Sequence, residues 1–335
     1  MLLIDSLYIN NSGGKVLLDY LIEELEKTGI PILYLLDERI KNNHPTIKPE
    51  NKVYYLKGNL FLRHLFYLKH RKEISKVLCF ANLPPTLKLK AEILTYFHQP
   101  LFIRLPNSAG WKLKLIIAIK SNILKLIVKN TNKWAVQSVN VQNKLSAKFN
   151  IFKDDILILP FYPPMVTLVA IPQKINSFIY VSNGSAHKNH ANLLKAFSSF
   201  YKLHQIGELH LTISSSFIEL SALIESYIKD GIPIVNHGNI ERSELTELYH
   251  GSEFSIYPSL TESLGLGIIE ALECGCKIIG ADRPYMHAVC EPSVIFDPLS
   301  VESIIQSIEK AVFTDCQPSK QKVFNEIDSL INLLK

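Results

Sequence analysis

The sequence predicts an α/β protein with two doubly wound, Rossmann-like domains that face each other across a cleft. Short apolar runs alternate with helical patterns along the whole chain, as in βαβ units. The length of 335 residues exceeds what one hydrophobic core usually holds. Prolines, which interrupt regular structure, cluster at positions 160, 163, 164 and 172. We therefore predict an N-terminal domain over residues 1–167 and a C-terminal domain over residues 168–335.

In the first half, the first strand leads through the loop Asn10–Gly14 into a helix predicted from about Lys15 to Thr28. Strand and helix patterns then alternate, so neighbouring strands are expected to run parallel. The predicted strands are Leu2–Ile9, Ile32–Leu36, Lys52–Leu56, Lys76–Phe80, Ile93–Phe97, Trp134–Ser138 and Ile156–Leu159.

The second half restarts the same alternation and so predicts a second parallel sheet. Its predicted strands are Phe178–Val181, Leu209–Ser214, Ile234–Asn236, Phe254–Tyr257, Lys277–Gly280 and Val294–Phe296. Its predicted helices are Asn189–Leu203, Ile218–Lys229, Glu241–His250, Gly265–Glu273, Val301–Phe313 and Ser319–Leu334. The last of these helices is a candidate to pack back on the N-terminal domain.

Composition and charge narrow the class of protein. Hydrophobic residues make up 47% and charged residues 20% of the chain, which excludes a disordered protein. The net charge of +5 is unevenly distributed, because residues 1–165 carry 24 basic against 12 acidic side chains and residues 166–335 carry 12 against 19. Within residues 51–150, only Glu73 and Glu92 oppose 18 basic residues. This excess suits a polyanion or an anionic membrane surface better than a neutral small molecule.

The cysteines and the N-terminal residues indicate the cellular compartment of the protein. The five cysteines form neither CxxC pairs nor zinc-type spacings, so we expect reduced thiols. The N-terminus lacks the positive region of a signal peptide, and no apolar run approaches the ~18 residues that span a bilayer. We expect a cytoplasmic protein whose membrane contact, if any, is peripheral at the inner face of the cell membrane.

The segment Tyr257–Ala271 carries the most informative chemistry. A loop after the predicted strand carries Glu262, and Gly265-Leu266-Gly267 opens a helix on which Glu270 lies about one turn in. Unpaired N–H groups at a helix start bind phosphate, and glycine lets the phosphate come close. A carboxylate one turn further along can accept both hydroxyls of a ribose. For the spacing alone, two solvated surface acids are the alternative.

This segment resembles the E-x7-E signature of retaining glycosyltransferases of family 4, the group 1 glycosyltransferases, which have the GT-B fold. The flanking segments His237–Tyr249 and Gly280–Pro298 resemble the parts of that family before and after the signature. The resemblance implies that Glu270, with the helix start, binds a nucleoside diphosphate sugar. It also implies that Glu262 is a catalytic residue near the donor sugar and that the acceptor attacks from the front face.

A second stretch, Val181–Phe197, places Lys188 just before a predicted helix start. The resemblance assigns Lys188 to the donor diphosphate, and an ordinary exposed lysine is the alternative. The family's usual arginine five residues earlier is replaced by Asn183, which removes one cation. Asn183 and Gly184 are predicted to line the donor site.

The first domain offers two further candidates. Gly13 and Gly14 follow the first strand and resemble the family's glycine loop, although glycines in a βα turn are also common for steric reasons. His98 ends a predicted strand, where the family often has a histidine near the transferred sugar, and we assign it a catalytic role. A satisfied structural histidine is the alternative. The chain has no Asp-x-Asp pair, so neither a metal nor another cofactor is expected.

The stretch 111–129 contains no acid, begins with a tryptophan and has the composition of an interfacial helix. The predicted membrane-binding residues are Trp111, Lys112, Lys114, Lys120 and Lys125. A second basic region comprises Arg63 and His64 within an apolar stretch, followed by Lys69, His70, Arg71 and Lys72. The alternative is a core helix with one solvated face. Nucleic acid is not expected, because the aromatic interleaving of single-strand binders is absent.

Together these features predict a retaining glycosyltransferase that moves a sugar from a nucleoside diphosphate sugar to an acceptor. The basic surface favours a lipid-linked oligosaccharide of a bacterial surface polysaccharide, such as O-antigen or capsule. A sugar-nucleotide epimerase of the same fold is one alternative. A catalytically weak partner subunit of a glycosyltransferase assembly is the other.

Overall fold

The structure is a computed structural model that describes residues 1–98, 102, 111–165 and 171–335, without the side chains of Lys112 and Leu113. These residues divide into two compact units. Unit 1 comprises Met1–Pro163 together with Phe324–Lys335, and unit 2 comprises Pro164–Val323. The division thus falls between Pro163 and Pro164, and the boundary predicted at residue 168 lies outside the described residues.

Unit 1 contains a seven-stranded parallel sheet with the order β3-β2-β1-β4-β5-β6-β7. The strand order reverses between β1 and β4, as in a doubly wound sheet. The strands are β1 (Leu2–Asp5), β2 (Ile32–Asp37), β3 (Lys52–Leu56), β4 (Lys76–Cys79), β5 (Glu92–Phe97), β6 (Lys133–Val136) and β7 (Ile156–Ile158). The first strand is shorter than predicted, because the amide of Leu7 turns back to the Asp5 carboxylate at 3.3 Å.

Helices in this first unit bury one apolar stripe each against the sheet. Phe66 and Tyr67 pack on Leu3, Leu33 and Val77 in one core cluster, and a second cluster forms around Trp134. The helices are α1 (Ser12–Glu26), α2 (Leu60–His70), α3 (Trp111–Ile127) and α4 (Val139–Phe149).

Arg63 lies in the core of unit 1 and not on its surface. Its guanidinium is fully buried and donates to Asp5 Oδ2 at 2.7 Å, to the carbonyl of Leu83 at 2.7 Å and to that of Pro84 at 2.9 Å. His70 is also buried, with its ring 4.6 Å from that of Phe66. The prediction that Arg63 and His70 belong to the basic surface is therefore wrong. Both project from the face of α2 that packs on the sheet.

Unit 2 contains a six-stranded parallel sheet with the order β10-β9-β8-β11-β12-β14 and a small antiparallel pair, β13-β15. The strands are β8 (Lys174–Tyr180), β9 (Glu208–Leu211), β10 (Ile234–Asn236), β11 (Ser252–Tyr257), β12 (Lys277–Ala281), β13 (Cys290–Glu291), β14 (Val294–Phe296) and β15 (Lys320–Gln321). The helices are α5 (His190–His204), α6 (Ile218–Lys229), α7 (Arg242–Gly251), α8 (Leu266–Glu273), α9 (Pro284–Val289) and α10 (Val301–Phe313).

The C-terminal segment differs from the predicted single helix over Ser319–Leu334. Its first residues form β15, which pairs with β13, and the helix α11 covers only Ile327–Leu334. Asn325 breaks the helical pattern, because its side-chain amide donates to the carbonyl of Tyr162 at 2.8 Å. The segment from Phe324 onwards belongs to unit 1, where Lys76 Nζ donates to the carbonyl of Leu333 at 2.9 Å.

The two parallel sheets with flanking helices confirm the predicted fold class. All five cysteines lie among the described residues, and each is a buried thiol outside any disulfide. In the parts of the chain that the structure describes, none of the helices has both the length and the apolar character to cross a bilayer.

We expect Arg63→Ala to lower the free energy of unfolding by roughly 3–5 kcal/mol, because it leaves the Asp5 carboxylate buried without its cation. Urea denaturation followed by circular dichroism measures this change. Arg71→Ala, at an exposed arginine at the end of the same helix, is the control and should change stability by less than about 0.5 kcal/mol. Equal losses in the two variants would contradict the structural role of the buried pair.

Candidate functional site

The candidate site of unit 2 lies at the carboxyl ends of β8 and β11, two neighbouring strands in the sheet. The connections from these strands run to opposite sides, since β8 leads to β9 and β11 leads to β12. Ligands of open α/β sheets bind at such a switch point. The loop after β8 carries Lys188, and the loop after β11 carries Glu262.

Lys188 and Glu262 form an ion pair, with 2.6 Å between Nζ and Oε1. Their side chains are only 12% and 11% exposed, so the pair is well shielded from water. The backbone holds the two loops together, because the amide of Leu260 donates to the carbonyl of His187 at 2.8 Å. The structure thus brings together two residues that the sequence singled out separately.

Two buried tyrosines donate hydrogen bonds to the backbone of these loops. The hydroxyl of Tyr180 donates to the carbonyl of Lys188 at 3.0 Å and lies 2.8 Å from Ser259 Oγ. The hydroxyl of Tyr285 donates to the carbonyl of Ser259 at 2.6 Å. These bonds hold the backbone on both sides of the ion pair in place.

The glycines of the signature let neighbouring groups pack closely against the start of α8. Gly265 precedes the helix with a φ of +72°, where a side chain would be strained, and a Cβ there would lie 2.8 Å from Ile268 Cδ1. A Cβ on Gly267 would lie 3.1 Å from the hydroxyl of Tyr249 and 3.4 Å from the carbonyl of Val181. Leu266 between them is partly buried. No larger residue fits at Gly265 or Gly267 without displacing a neighbour.

Glu270 lies on α8 and is nearly inaccessible, with 4% of its surface exposed. Arg242 Nη1 lies 2.7 Å from its Oε1, and the hydroxyl of Tyr249 lies 3.5 Å from its Oε2. Burial raises the pKa of Glu270, and the charge and hydrogen bond of Arg242 oppose that rise. Arg242 therefore favours the ionised carboxylate.

Sequence reasoning did not find Arg242. It lies within the segment His237–Tyr249 that the resemblance covers, but no spacing rule connects it with Glu270. The two residues meet because α7 begins beside α8. A basic residue at the start of a helix within a family segment is the only signal that the sequence contained.

Asn183 and Gly184 shape the loop after β8. The side chain of Asn183 accepts a hydrogen bond from the amide of Ser185 at 3.1 Å, so it stabilises the turn. A Cβ on Gly184 would lie 2.5 Å from Phe217 Cγ, which explains why this position has no side chain. The loop runs on to Lys188 through a single turn of 3-10 helix, Ala186–Lys188.

In unit 1, His98 and Gly14 are neighbours at the carboxyl end of the sheet. A Cβ on Gly14 would lie 3.8 Å from His98 Nε2, whereas a Cβ on Gly13 would meet nothing within 4 Å. The amide of His98 donates to Asn82 Oδ1 at 2.7 Å. Burial lowers the pKa of His98 to about 4, so its ring is neutral at pH 7. Within the described residues, Nδ1 of this ring has no hydrogen-bond partner.

The exposed face of α3 combines apolar and basic side chains. Trp111 is 71% and Leu126 83% exposed, and Leu115 and Ile119 lie on the same side of the helix. Lys114, Lys120 and Lys125 are exposed as well. The side chain of Lys112 lies outside the described residues. Ile117, Leu124 and Ile127 are buried, so α3 has both a core face and a solvent face.

A polar pocket of about 350 Å³ opens at the carboxyl ends of β9 and β10 in unit 2. Its wall includes Ser214, Ser221, Glu225, Asn236 and His237. The chain continues from this wall through Gly238 and Asn239 to Arg242, and so to Glu270. The sequence did not indicate this pocket, because its residues come from one strand, two loops and a helix.

The described ranges contain no group of three His, Cys, Asp or Glu side chains arranged to hold a metal ion. The acidic residues of the candidate site have basic partners instead. Glu262 faces Lys188, and Glu270 faces Arg242.

Residues 169–325 match the family described as glycosyl transferases group 1. The matched range contains Lys188, Arg242, Glu262 and Glu270, which are the charged residues of the candidate site. A curated relative is the O-antigen chain mannosyltransferase RfbU of Salmonella typhimurium strain LT2, which is 24% identical over 196 residues. That stretch covers 56% of this chain and 54% of RfbU, so the chain spans about half the length of the curated relative that it matches.

Solved structures resemble the chain over most of its length. One is WaaG, a glycosyltransferase involved in lipopolysaccharide biosynthesis, with a TM-score of 0.71 at 13% identity, covering 94% of this chain and 91% of WaaG. Another is Anabaena HepE in complex with UDP, with a TM-score of 0.68 at 13% identity, covering 93% of this chain and 89% of HepE. These likenesses confirm the predicted GT-B fold. The match of residues 169–325 to the group 1 glycosyl transferases, a family of enzymes, supports the resemblance that the sequence indicated.

Proposed function

We propose that the chain is a retaining glycosyltransferase that moves a sugar from a nucleoside diphosphate sugar to a lipid-linked saccharide in the synthesis of a bacterial surface polysaccharide. The observation that carries the proposal is the pairing of Glu262 with Lys188 and of Glu270 with Arg242 on and just before α8. RfbU is named an O-antigen mannosyltransferase, and HepE binds UDP, which supports this substrate class.

The donor would lie across the carboxyl ends of the unit 2 strands. Lys188 and the first-turn amides of α8 offer positive charge and N–H donors to the diphosphate. Glu270, whose ionised form is favoured by Arg242, would accept the ribose hydroxyls. The pocket beside His237 would take the base, because its volume of about 350 Å³ lies in the range of small-molecule sites, roughly 300–1,000 Å³.

Breaking the bond between sugar and diphosphate leaves negative charge on the departing phosphate. Lys188 would stabilise this charge, and the ion pair with Glu262 holds its ammonium in position beforehand. Glu262 would lie near the donor sugar, and His98 and the loop of Gly13 and Gly14 would serve the acceptor side. Front-face attack by the acceptor explains retention in this scheme, without metal or other cofactor.

The acceptor would reach the enzyme at the membrane surface. We assign the exposed side of α3 to an anionic bilayer at the inner face of the cell membrane, where the enzyme would be peripheral and otherwise cytoplasmic. Trp111 and Leu126 would enter the interface, and Lys114, Lys120 and Lys125 would meet lipid phosphates. On α2, exposed apolar residues such as Phe61 and Leu65 offer a second apolar contact.

Nucleotide binding tests the donor site. Calorimetry with UDP, GDP, ADP and CMP should find micromolar binding of one nucleotide, and Glu270→Ala should weaken it roughly 10- to 100-fold, since hydrogen bonds to a carboxylate are lost. Glu219→Ala, at an exposed acid on α6, is the control and should bind like the wild type. If the folded wild type bound none of the four, the non-catalytic partner would replace the transferase. Turnover of the matching labelled nucleotide sugar, with product analysis, separates a transferase from an epimerase.

The pH dependence of binding tests the role of Arg242. Because ribose binding needs the carboxylate, affinity is lost as the pH falls through the pKa of Glu270, which burial raises. Arg242→Ala removes the charge that opposes this rise, so the loss should move to higher pH, whereas Arg242→Lys should keep most of the wild-type profile. Arg283→Ala is the control, because it breaks an ion pair with Asp297, which is more exposed than Glu270. Superimposable profiles for Arg242→Ala and the wild type would rule the role out.

Vesicle binding tests the surface of α3. The wild type should sediment with phosphatidylglycerol vesicles, and replacing Lys114, Lys120 and Lys125 by Ala should weaken this roughly 100-fold, at about 1 kcal/mol per lysine. The same change at the exposed Lys195, Lys202 and Lys229 of unit 2 is the control. Trp111 emission should shift to the blue on binding, while the buried Trp134 stays constant. Equal effects of the two triple variants would contradict the assignment.

A further inference from the structure

We propose that Glu208, His210 and His237 form a hydrogen-bonded relay that sets whether His237 accepts or donates a hydrogen bond in the pocket of unit 2. His237 would thereby be a binding residue for the base of the nucleotide, and Glu208 and His210 would be positioning residues. This inference rests on the proposed function, since it takes the ligand of the pocket to be a nucleoside diphosphate.

Hydrogen-bond distances connect the three side chains, which come from β9 and the end of β10. His210 Nε2 is 2.9 Å from Glu208 Oε1, and His210 Nδ1 is 3.0 Å from His237 Nε2. The two histidine rings stack, with their centroids 5.2 Å apart. Lys174 occupies the other carboxylate oxygen of Glu208 at 2.5 Å. The pocket wall contains His237, whereas Glu208 and His210 lie behind it.

Hydrogen-bond chemistry fixes the direction of this relay. Burial raises the pKa of Glu208, but the bonds from Lys174 and His210 outweigh it and lower the pKa, so the carboxylate is ionised and only accepts. His210 must then donate from Nε2, and its neutral Nδ1 must accept from His237 Nε2. Nδ1 is the ring nitrogen of His237 that is left for a ligand, and in this state it is an acceptor.

One added proton reverses the character of this nitrogen. If the proton stays on His237, both of its nitrogens donate. If it passes to His210, where Glu208 stabilises the charge, His237 Nε2 becomes the acceptor and its Nδ1 again carries the hydrogen. In both cases, the pocket faces a donor instead of an acceptor.

The surroundings disfavour a positive charge on the His237 ring itself. Burial lowers the pKa of His237, the charge of a protonated His210 lowers it further, and Glu244 opposes both with its negative charge. Glu225, the remaining acid at the pocket wall, lies on α6. The ligand that fits the acceptor state presents an N–H group, such as the imide N–H of uracil, the lactam N–H of guanine or the amino group of adenine or cytosine.

The decisive variant is Glu208→Gln. Its amide oxygen can still accept from His210, but it no longer stabilises a positive charge there. We measure affinity by calorimetry from pH 5.5 to 8.5, using the tightest binder among UDP, GDP, ADP and CDP. The wild type should lose affinity roughly tenfold or more on acidification, because the N–H group of the base then faces an N–H group of His237. Glu208→Gln should bind as tightly as the wild type at pH 8.5. On acidification, its loss of affinity should begin at a lower pH than the loss in the wild type.

Two controls isolate the relay. Glu309→Gln makes the same change at another His–Glu pair of unit 2, His204 and Glu309 at 2.8 Å, and should leave the profile unchanged. Ribose 5-diphosphate, which lacks a base, reports only the ribose and phosphate contacts, so its profile should not respond to Glu208→Gln. His237→Phe should weaken nucleotide binding at pH 8.5 and abolish the response to Glu208→Gln.

The outcomes separate this inference from the proposed function. If a nucleotide binds the wild type but the Glu208→Gln and wild-type profiles coincide, the relay is refuted and the donor site stands. An equal shift in Glu309→Gln would also refute it. If no nucleotide binds the folded wild type at any pH, the proposed function fails first, and the inference fails with it.

Discussion

Ion pairs between buried carboxylates and cations from distant parts of the chain organise both units of this protein. Removing a charge from water is costly unless an opposite charge and hydrogen bonds compensate for it. Asp5 at the end of β1 has Arg63, and the acids at the start of α8 have Lys188 and Arg242. The partners are 58, 74 and 28 residues apart in sequence, so each pair forms only when distant elements come together. The candidate site is thus built from the same interaction that orders the core of unit 1.

Local sequence patterns predicted the sheets well, because buried parallel strands are short apolar runs. Lys52–Leu56, Ile234–Asn236 and Val294–Phe296 have the predicted bounds. Errors occurred where polar side chains end an element. The apolar run of β1 continues to Ile9, but the Asp5 carboxylate turns the chain after four residues of strand. The predicted last helix loses its first half, because hydrogen bonds to β13 and to the carbonyl of Tyr162 compete with the helical ones.

The sequence indicated the two acids and the lysine of the candidate site. It indicated neither the pairing of the lysine with one acid nor the arginine that pairs with the other. Glu262, Glu270 and Lys188 follow from strand ends, glycines and a resemblance to a family. Arg242 depends on how α7 lies against α8, which no local pattern encodes. On β9, polar and apolar residues alternate visibly, yet the contact of His210 with His237 depends on the pairing of β9 with β10. Arg63 was predicted to lie on the surface because of the composition and charge of its segment. Tertiary contacts bury it instead.

The return of the C-terminal segment to unit 1 affects the order in which the chain can fold during synthesis. Unit 2 is continuous, whereas unit 1 needs Phe324–Lys335 for completion. The hydrogen bond from Lys76 to Leu333 spans 257 residues, a separation that makes contacts slow to form. Domains made first on the ribosome generally fold first. Here the later unit can finish while the earlier one still lacks its last helix, so the sheet nearer the N-terminus stays incompletely covered for longer during synthesis.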